Sequence, residues 1–175
     1  MKVLVIGANG QLGRALRAEY GDAPHIEYAD RASLDLASPD LASARRWRDY
    51  GTIINAAAYT KVDLAETPEG RKDAWAANVT GVAALARVAS ENGITLVHVS
   101  SDYVFDGARP VGQAYNPDDA VAPLGVYGQS KAAGEASSGA VLEGPLLAWA
   151  PAPSILVHIC HLLRLCFTAI LTRNK

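Results

Sequence analysis

Lys2-Val3-Leu4-Val5-Ile6-Gly7-Ala8-Asn9-Gly10-Gln11-Leu12-Gly13 decides the fold. The apolar run Lys2–Ile6 reads as a buried strand. Three glycines follow at a spacing of three, and Gln11–Tyr20 then shows helical periodicity, with Leu12, Ala15 and Leu16 on one face. A strand, a glycine-rich turn and a helix in that order make a phosphate cradle. Gly7 permits the tight turn, Gly10 lets backbone approach a phosphate, and Gly13 lets the helix pack close to the strand. The helix N-terminus offers free N–H groups and a positive dipole end to a dinucleotide pyrophosphate.

Outward from this stretch, short apolar runs alternate with longer helical patterns, which predicts βαβ units and a parallel sheet. Strands are expected at His25–Tyr28, Thr52–Asn55 and Thr95–Ser100. Pro39–Tyr50 reads as a helix behind a Ser38 cap. Thr67–Asn92 reads as mostly helical and stopped by Gly93. Asp102–Pro123 is rich in Gly, Pro, Asn and Asp and reads as a loop. Val126–Ser137 is the last expected helix. The fold class is therefore α/β: a Rossmann-like, doubly wound parallel sheet with helices on both faces.

Composition sets limits on function. Half of the 175 residues are hydrophobic and 19% are charged, a globular balance, and the net charge of −2 gives no electrostatic case for nucleic acid. The two cysteines cannot form a disulfide framework. The apolar N-terminus runs straight into the glycine turn, so it reads as a strand of a cytoplasmic protein, not as a signal peptide. Composition changes after Glu143: from Gly144 onward there is no Asp or Glu, and prolines interrupt the pattern. The expected division is thus a nucleotide-binding domain over 1–143 and an atypical apolar tail over 144–175. Within the tail, Ile155–Leu171 is apolar, but His158, His161 and Arg164 interrupt it, so a buried helix is expected there in preference to a membrane span. His158, Cys160, His161 and Cys166 lack a zinc spacing, and no metal site is expected.

Several residues beyond the glycines are suited to nucleotide chemistry. Asp30 follows the second strand, where a carboxylate can bind the adenine ribose hydroxyls, and Arg31 beside it suits a 2′-phosphate. NADH and NADPH both stay open, with NADPH favoured. Asp35 and Leu36 are placed to flank the adenine. Asn55-Ala56-Ala57-Ala58-Tyr59-Thr60 ends the third strand with small side chains against which a cofactor can lie. Asp63 and Glu66 read as the start and N-terminal cap of the next helix. Ser100-Ser101 ends the fourth strand, where the hydroxyl of Ser101 can meet a substrate carbonyl. Tyr127 and Lys131 stand four apart, on one helix face. A free phenol has a pKa of about 10 and a nearby cation favours its phenolate, so the pair is suited to moving a proton.

These residues together resemble the dTDP-4-dehydrorhamnose reductases, a branch of the extended short-chain dehydrogenase/reductase superfamily. The likeness rests on Gly7–Gly13, Asn55–Asp63 with Ala65-Glu66, Asn78-Val79-Thr80-Gly81, Ser101–Gly107, and Pro123–Lys131 with Gly134-Glu135. It implies NADPH-dependent reduction of the C4 ketone of dTDP-4-dehydro-L-rhamnose to dTDP-L-rhamnose. It further implies Ser101, Tyr127 and Lys131 as the catalytic set, with Tyr127 donating the proton to the ketone oxygen, Lys131 holding the nicotinamide ribose and tuning Tyr127, and both also counted among the cofactor-binding residues. Gly10, Gln11, Leu12, Asp30, Asp35, Leu36, Ala58, Tyr59 and Thr60 fall at cofactor positions, and Asp102 and Tyr103 at substrate positions. A homodimer is left open. Members of the family continue into a smaller substrate domain, and residues past Glu143 do not resemble it. This favours a truncated or frame-shifted reading, with weak cofactor binding and little turnover. Two alternatives stand beside the reductase: a non-catalytic nucleotide-binding subunit, and a sugar-nucleotide dehydratase or epimerase. A dehydratase would want an acid pair after the hydroxyl residue, and Asp102 is followed by Tyr103.

Overall fold

A computed structural model describes residues 1–116 and 119–139. The tail over 144–175, with its expected helix and its histidines and cysteines, lies outside the described residues.

Among the described residues, four strands form one parallel sheet in the order β2-β1-β3-β4. They are β1 Lys2–Ile6, β2 Ile26–Ala29, β3 Tyr50–Asn55 and β4 Thr95–His98. Helix α1, Gln11–Tyr20, joins β1 to β2; α2, Pro68–Trp75, and α3, Gly81–Asn92, join β3 to β4; and α4, Val126–Gly139, follows β4. Val3-Leu4-Val5-Ile6 is buried on both faces of the sheet, as a central parallel strand requires. Its side chains divide by parity. Leu4 and Ile6 join Ile53, Leu85 and Leu96 in the core under α3. Val3 and Val5 join Leu16, Ile54 and Val97 in the core under α1. Each such side chain contributes roughly 1.5–3 kcal/mol through burial.

Connection order reverses at β1, because the chain passes from β1 to β2 on one side and then to β3 on the other. Ligands of open α/β sheets bind at such a point, beyond the carboxyl ends of the strands. Here those ends are Gly7 and Ala56.

The segment read as a helix over Pro39–Tyr50 is instead two single 3₁₀ turns, Leu41–Ser43 and Trp47–Asp49, and Tyr50 already belongs to β3. Side chains compete with the helix for its backbone groups. The Asp40 N–H donates to Ser38 Oγ at 3.2 Å and Ser43 Oγ donates to the Asp40 carbonyl at 3.0 Å. Leu41, Trp47 and Tyr50 are still buried; the apolar spacing was a core signal without a helix. The second strand runs one residue later than expected, and the fourth ends at His98, not at Ser100. Asp102–Val104 makes a 3₁₀ turn inside the expected loop. The long helical stretch before Gly93 holds, but it is broken by a π-helical turn at Ala76–Thr80.

Candidate functional site

Gly7 has φ +88°, and a Cβ there would lie 2.7 Å from the Ala57 nitrogen, so the turn passes close against the end of β3. Gly13 seats α1 on that turn: a Cβ would lie 2.7 Å from Ala8 Cα and closer still to the Gly7 carbonyl oxygen. Gly10 differs from both. Its backbone is ordinary, with φ −73°, and the nearest atom to an added Cβ is the Gly7 oxygen at 3.2 Å. The fold therefore needs Gly7 and Gly13, while the open side of Gly10 is free for a ligand. Gly10 is the N-cap of α1, and no side chain caps that end.

This uncapped end opens on a groove of about 850 Å³. Gly7, Gly10, Gln11 and Leu12 line it at the glycine turn; Arg31, Asp35 and Leu36 line it beyond β2; Ala58, Tyr59 and Thr60 line it beyond β3. Ten of the predicted cofactor residues are thus brought to one surface. Gly13 lies beneath it, and Asp30 is turned into its own loop. The Asp30 carboxylate accepts from the Ser33 N–H at 2.9 Å and from Asn9 Nδ2 at 3.1 Å, bonds that hold it below the usual carboxylate range. Arg31 Nε donates to Asp35 Oδ2 at 3.1 Å, and the arginine is otherwise open to solvent.

A second groove, of about 570 Å³, lies beside the first. Asp102, Tyr103 and Tyr127 line it, together with Val62. Thr60 and Lys61 belong to the first groove and Val62 to the second, so the two meet along one short segment. Tyr127 packs edge-on against Tyr103, with ring centroids 5.5 Å apart. Burial pushes the Tyr127 phenol above its ordinary pKa, while a hydrogen bond with the Ser101 side chain pulls it down. The predicted serine and tyrosine are therefore adjacent.

Lys131 lies one turn further along α4. Its side chain is 1% exposed, and Nζ donates to the Val99 carbonyl at 2.7 Å. Burial lowers its pKa to about 8.

Small residues bring α4 to this position. A Cβ at Gly128 would strike the Tyr103 carbonyl, and one at Gly134 would strike the Asn78 carbonyl. The turn carrying Tyr103 and the π-helical turn can each touch the helix only because these side chains are missing.

A model of the family described as RmlD substrate binding domain matches residues 1–144. The chain belongs to that family. The RmlD-type chain is 42% identical over 136 residues to a dTDP-4-dehydrorhamnose reductase of Sinorhizobium fredii, covering 77% of this chain and 45% of that one. A dTDP-4-dehydrorhamnose reductase of Clostridium acetobutylicum has a similar structure, with a TM-score of 0.74 and 30% identity over 84% of this chain and 56% of that one. The same enzyme of Bacillus anthracis, solved in complex with NADP, gives a TM-score of 0.68 and 36% identity over 81% of this chain and 50% of that one. The chain spans about half the length of the relatives it matches.

Two residues that hold this RmlD-type site together went unassigned or misassigned in the sequence. Asn78 sits in the π-helical turn, a feature frequent at functional sites. Its Oδ1 accepts from the Tyr59 N–H at 2.8 Å, and its Nδ2 donates to the Tyr59 carbonyl at 3.1 Å and to Ser130 Oγ at 3.0 Å. Ser130 Oγ donates in turn to the Tyr127 carbonyl at 2.7 Å. One buried amide thus ties the Tyr59 loop to the helix bearing Tyr127. An asparagine inside a helical run, a poor helix former, was the available signal. Glu66, read as a cap of its own helix, caps a distant one: its Oε1 accepts from the Val126 N–H at 2.8 Å, and Thr67 caps α2 instead. No local pattern announces a cap sixty residues away.

Replacing Asn78 by alanine strands the Tyr59 backbone groups and loosens α4. The expected loss is about 2–3 kcal/mol in urea unfolding. A loss under 0.5 kcal/mol would show that the amide is dispensable.

Proposed function

We propose that this chain is the nucleotide-binding and proton-donating portion, residues 1–143, of a cytoplasmic NADPH-dependent reductase. Its substrate is the C4 ketone of dTDP-4-dehydro-L-rhamnose, and NADH is a poorer cofactor. The observation that carries the reading is the adjacency of the Tyr127 phenol and the Ser101 hydroxyl beside the glycine-turn groove. The names of the relatives support the sugar nucleotide, and the NADP complex of one supports the cofactor. Among the described residues no helix is long and apolar enough to cross a membrane.

The residues present suit a dinucleotide. The uncapped first turn of α1 and the open side of Gly10 fit a pyrophosphate. Ala56-Ala57-Ala58 leaves room beside Tyr59 and Thr60 for the rest of the cofactor. Arg31 would hold the 2′-phosphate, and Asp35 and Leu36 would flank the adenine. Bound NADPH supplies the hydride. Tyr127 supplies the proton: burial keeps its phenol protonated at neutral pH, the form a reduction consumes. Ser101 holds the ketone oxygen beside it by hydrogen bonding, and the Lys131 ammonium stabilises the phenolate left after transfer. Asp102 and Tyr103, on the wall of the second groove, hold the sugar. A homodimer is compatible with this reading and is not required by it.

The test is oxidation of NADPH in the presence of the dTDP-ketosugar, followed at 340 nm. Tyr127→Phe should lower turnover ~10²-fold or more while leaving NADPH affinity within about twofold. Equal turnover by the variant would reject the assignment.

A further inference from the structure

A buried ammonium requires a counter-charge, and Lys131 has none among the partners that bind it directly. Its side chain is 1% exposed, and its hydrogen bond goes to the neutral carbonyl of Val99. That bond satisfies one of three N–H donors and none of the charge. Among the described residues, the ionisable groups near it come from two elements. On β4, His98 is buried and stays neutral, its pKa pushed down to about 3 first by burial and then by the Lys131 charge itself. On α4, Tyr127 lies one turn before Lys131 and is a neutral phenol. Glu135 lies one turn after it, on the same helix face. The Ser100 hydroxyl, following β4, donates to Glu135 Oε1 and fixes the carboxyl against the helix.

We propose that Glu135, held by Ser100, is a positioning residue: its carboxylate is the counter-charge that keeps Lys131 an ammonium inside the protein. This rests on the role given to Lys131 above. Glu135 touches neither substrate nor cofactor and acts through the lysine. The two side chains support each other. The Glu135 charge raises the proton affinity of Lys131, and the Lys131 charge favours the ionised carboxyl against its burial. Lys131 already titrates at about 8 with this help. Without it the lysine loses its proton near neutrality, and with it the charge that stabilises a Tyr127 phenolate.

The experiment is a pH titration of the whole chain carrying ¹³C-labelled lysine, read by NMR, with the Lys131 signal assigned by its loss in Lys131→Arg. In Glu135→Gln, the proton affinity of Lys131 should fall at least tenfold. Glu135→Asp, which keeps the charge, should recover most of that loss. Ser100→Ala, which frees the carboxyl and disfavours its ionised form, should lower the affinity severalfold. It serves as the deciding variant if Glu135→Gln does not fold. An unchanged Lys131 midpoint in either folded variant would overturn the proposal. The titration needs no turnover, so a wild-type chain inactive on the ketosugar would count against the proposed function and leave this result readable.

Discussion

Gly13→Val unfolds the chain, whereas Gly10→Val leaves it folded and removes NADPH binding. The two glycines stand three residues apart in one motif, and their surroundings differ. At Gly13 the nearest atoms to an added Cβ belong to the backbone of Gly7 and Ala8. No flexible side chain can yield, so α1 must lift from the turn at the end of β1. That displaces Leu16 from the core it shares with Val3, Val5 and Ile54. The expected cost is about 3 kcal/mol or more, a large part of the ~5–15 kcal/mol that a domain has in total. At Gly10 a Cβ meets a single oxygen at 3.2 Å and φ is ordinary. The stability cost there is about 1 kcal/mol, that of a poorer N-cap. Valine would, however, fill the space through which a pyrophosphate reaches the first turn of α1. Thermal melts followed by circular dichroism, with NADPH fluorescence titration, separate the two effects. If both variants melt alike, the division between a structural and a ligand-facing glycine is wrong.

Acid should destabilise the protein well above the range in which ordinary carboxylates titrate, and His98 is the cause. Asn55 Oδ1 accepts from the Ala57 N–H at 3.1 Å, which turns Asn55 Nδ2 toward His98 Nδ1 at 3.0 Å. The network thus assigns the lone pair to Nδ1 and the proton to Nε2. Protonating Nδ1 would set two donors against each other in a buried place. Burial, and after it the Lys131 charge, lower the pKa of His98 from 6.5 to about 3. The unfolded chain therefore binds the extra proton between those two values, and the folded chain does not. The His98 contribution to stability is full above about pH 6.5 and is lost as pH falls toward 3, by an amount on the order of 4 kcal/mol over the whole window. Asp30 and Asp106, both held below 3.8 by hydrogen bonds, begin to matter only near and below that value, outside the pH 7 to 4 range of the test. Urea midpoints measured from pH 7 to 4 should fall steeply in the wild type and much less in His98→Leu. Parallel slopes would remove His98 from the account.

The glycine turn and the Tyr127–Lys131 pair were legible because their geometry is local. A three-residue glycine spacing between strand and helix has few structural solutions, and side chains four apart on a helix share a face whatever surrounds them. Pro39–Tyr50 was misread because Leu41, Trp47 and Tyr50 are spaced like a helical stripe, while Ser38 and Ser43 favour turns. The structural partners of Glu66, Asn78, His98 and Glu135 stayed hidden for another reason. Each works through a partner on a different element: Val126, Ser130, Asn55 and Ser100 respectively. Such pairings exist only after the sheet has ordered its strands. The folded chain also anchors Lys131 on the Val99 carbonyl, a partner that spacing along α4 does not announce.

The central claim is that one bound NADPH spans from the glycine turn to Tyr127. Amide NMR of the labelled chain during NADPH titration tests it directly. The account predicts saturable shifts at both ends together, at Gly10–Gly13 and at Tyr127–Lys131, with a single dissociation constant. Shifts at the glycine turn alone, with residues 127–131 unmoved at saturation, would contradict it.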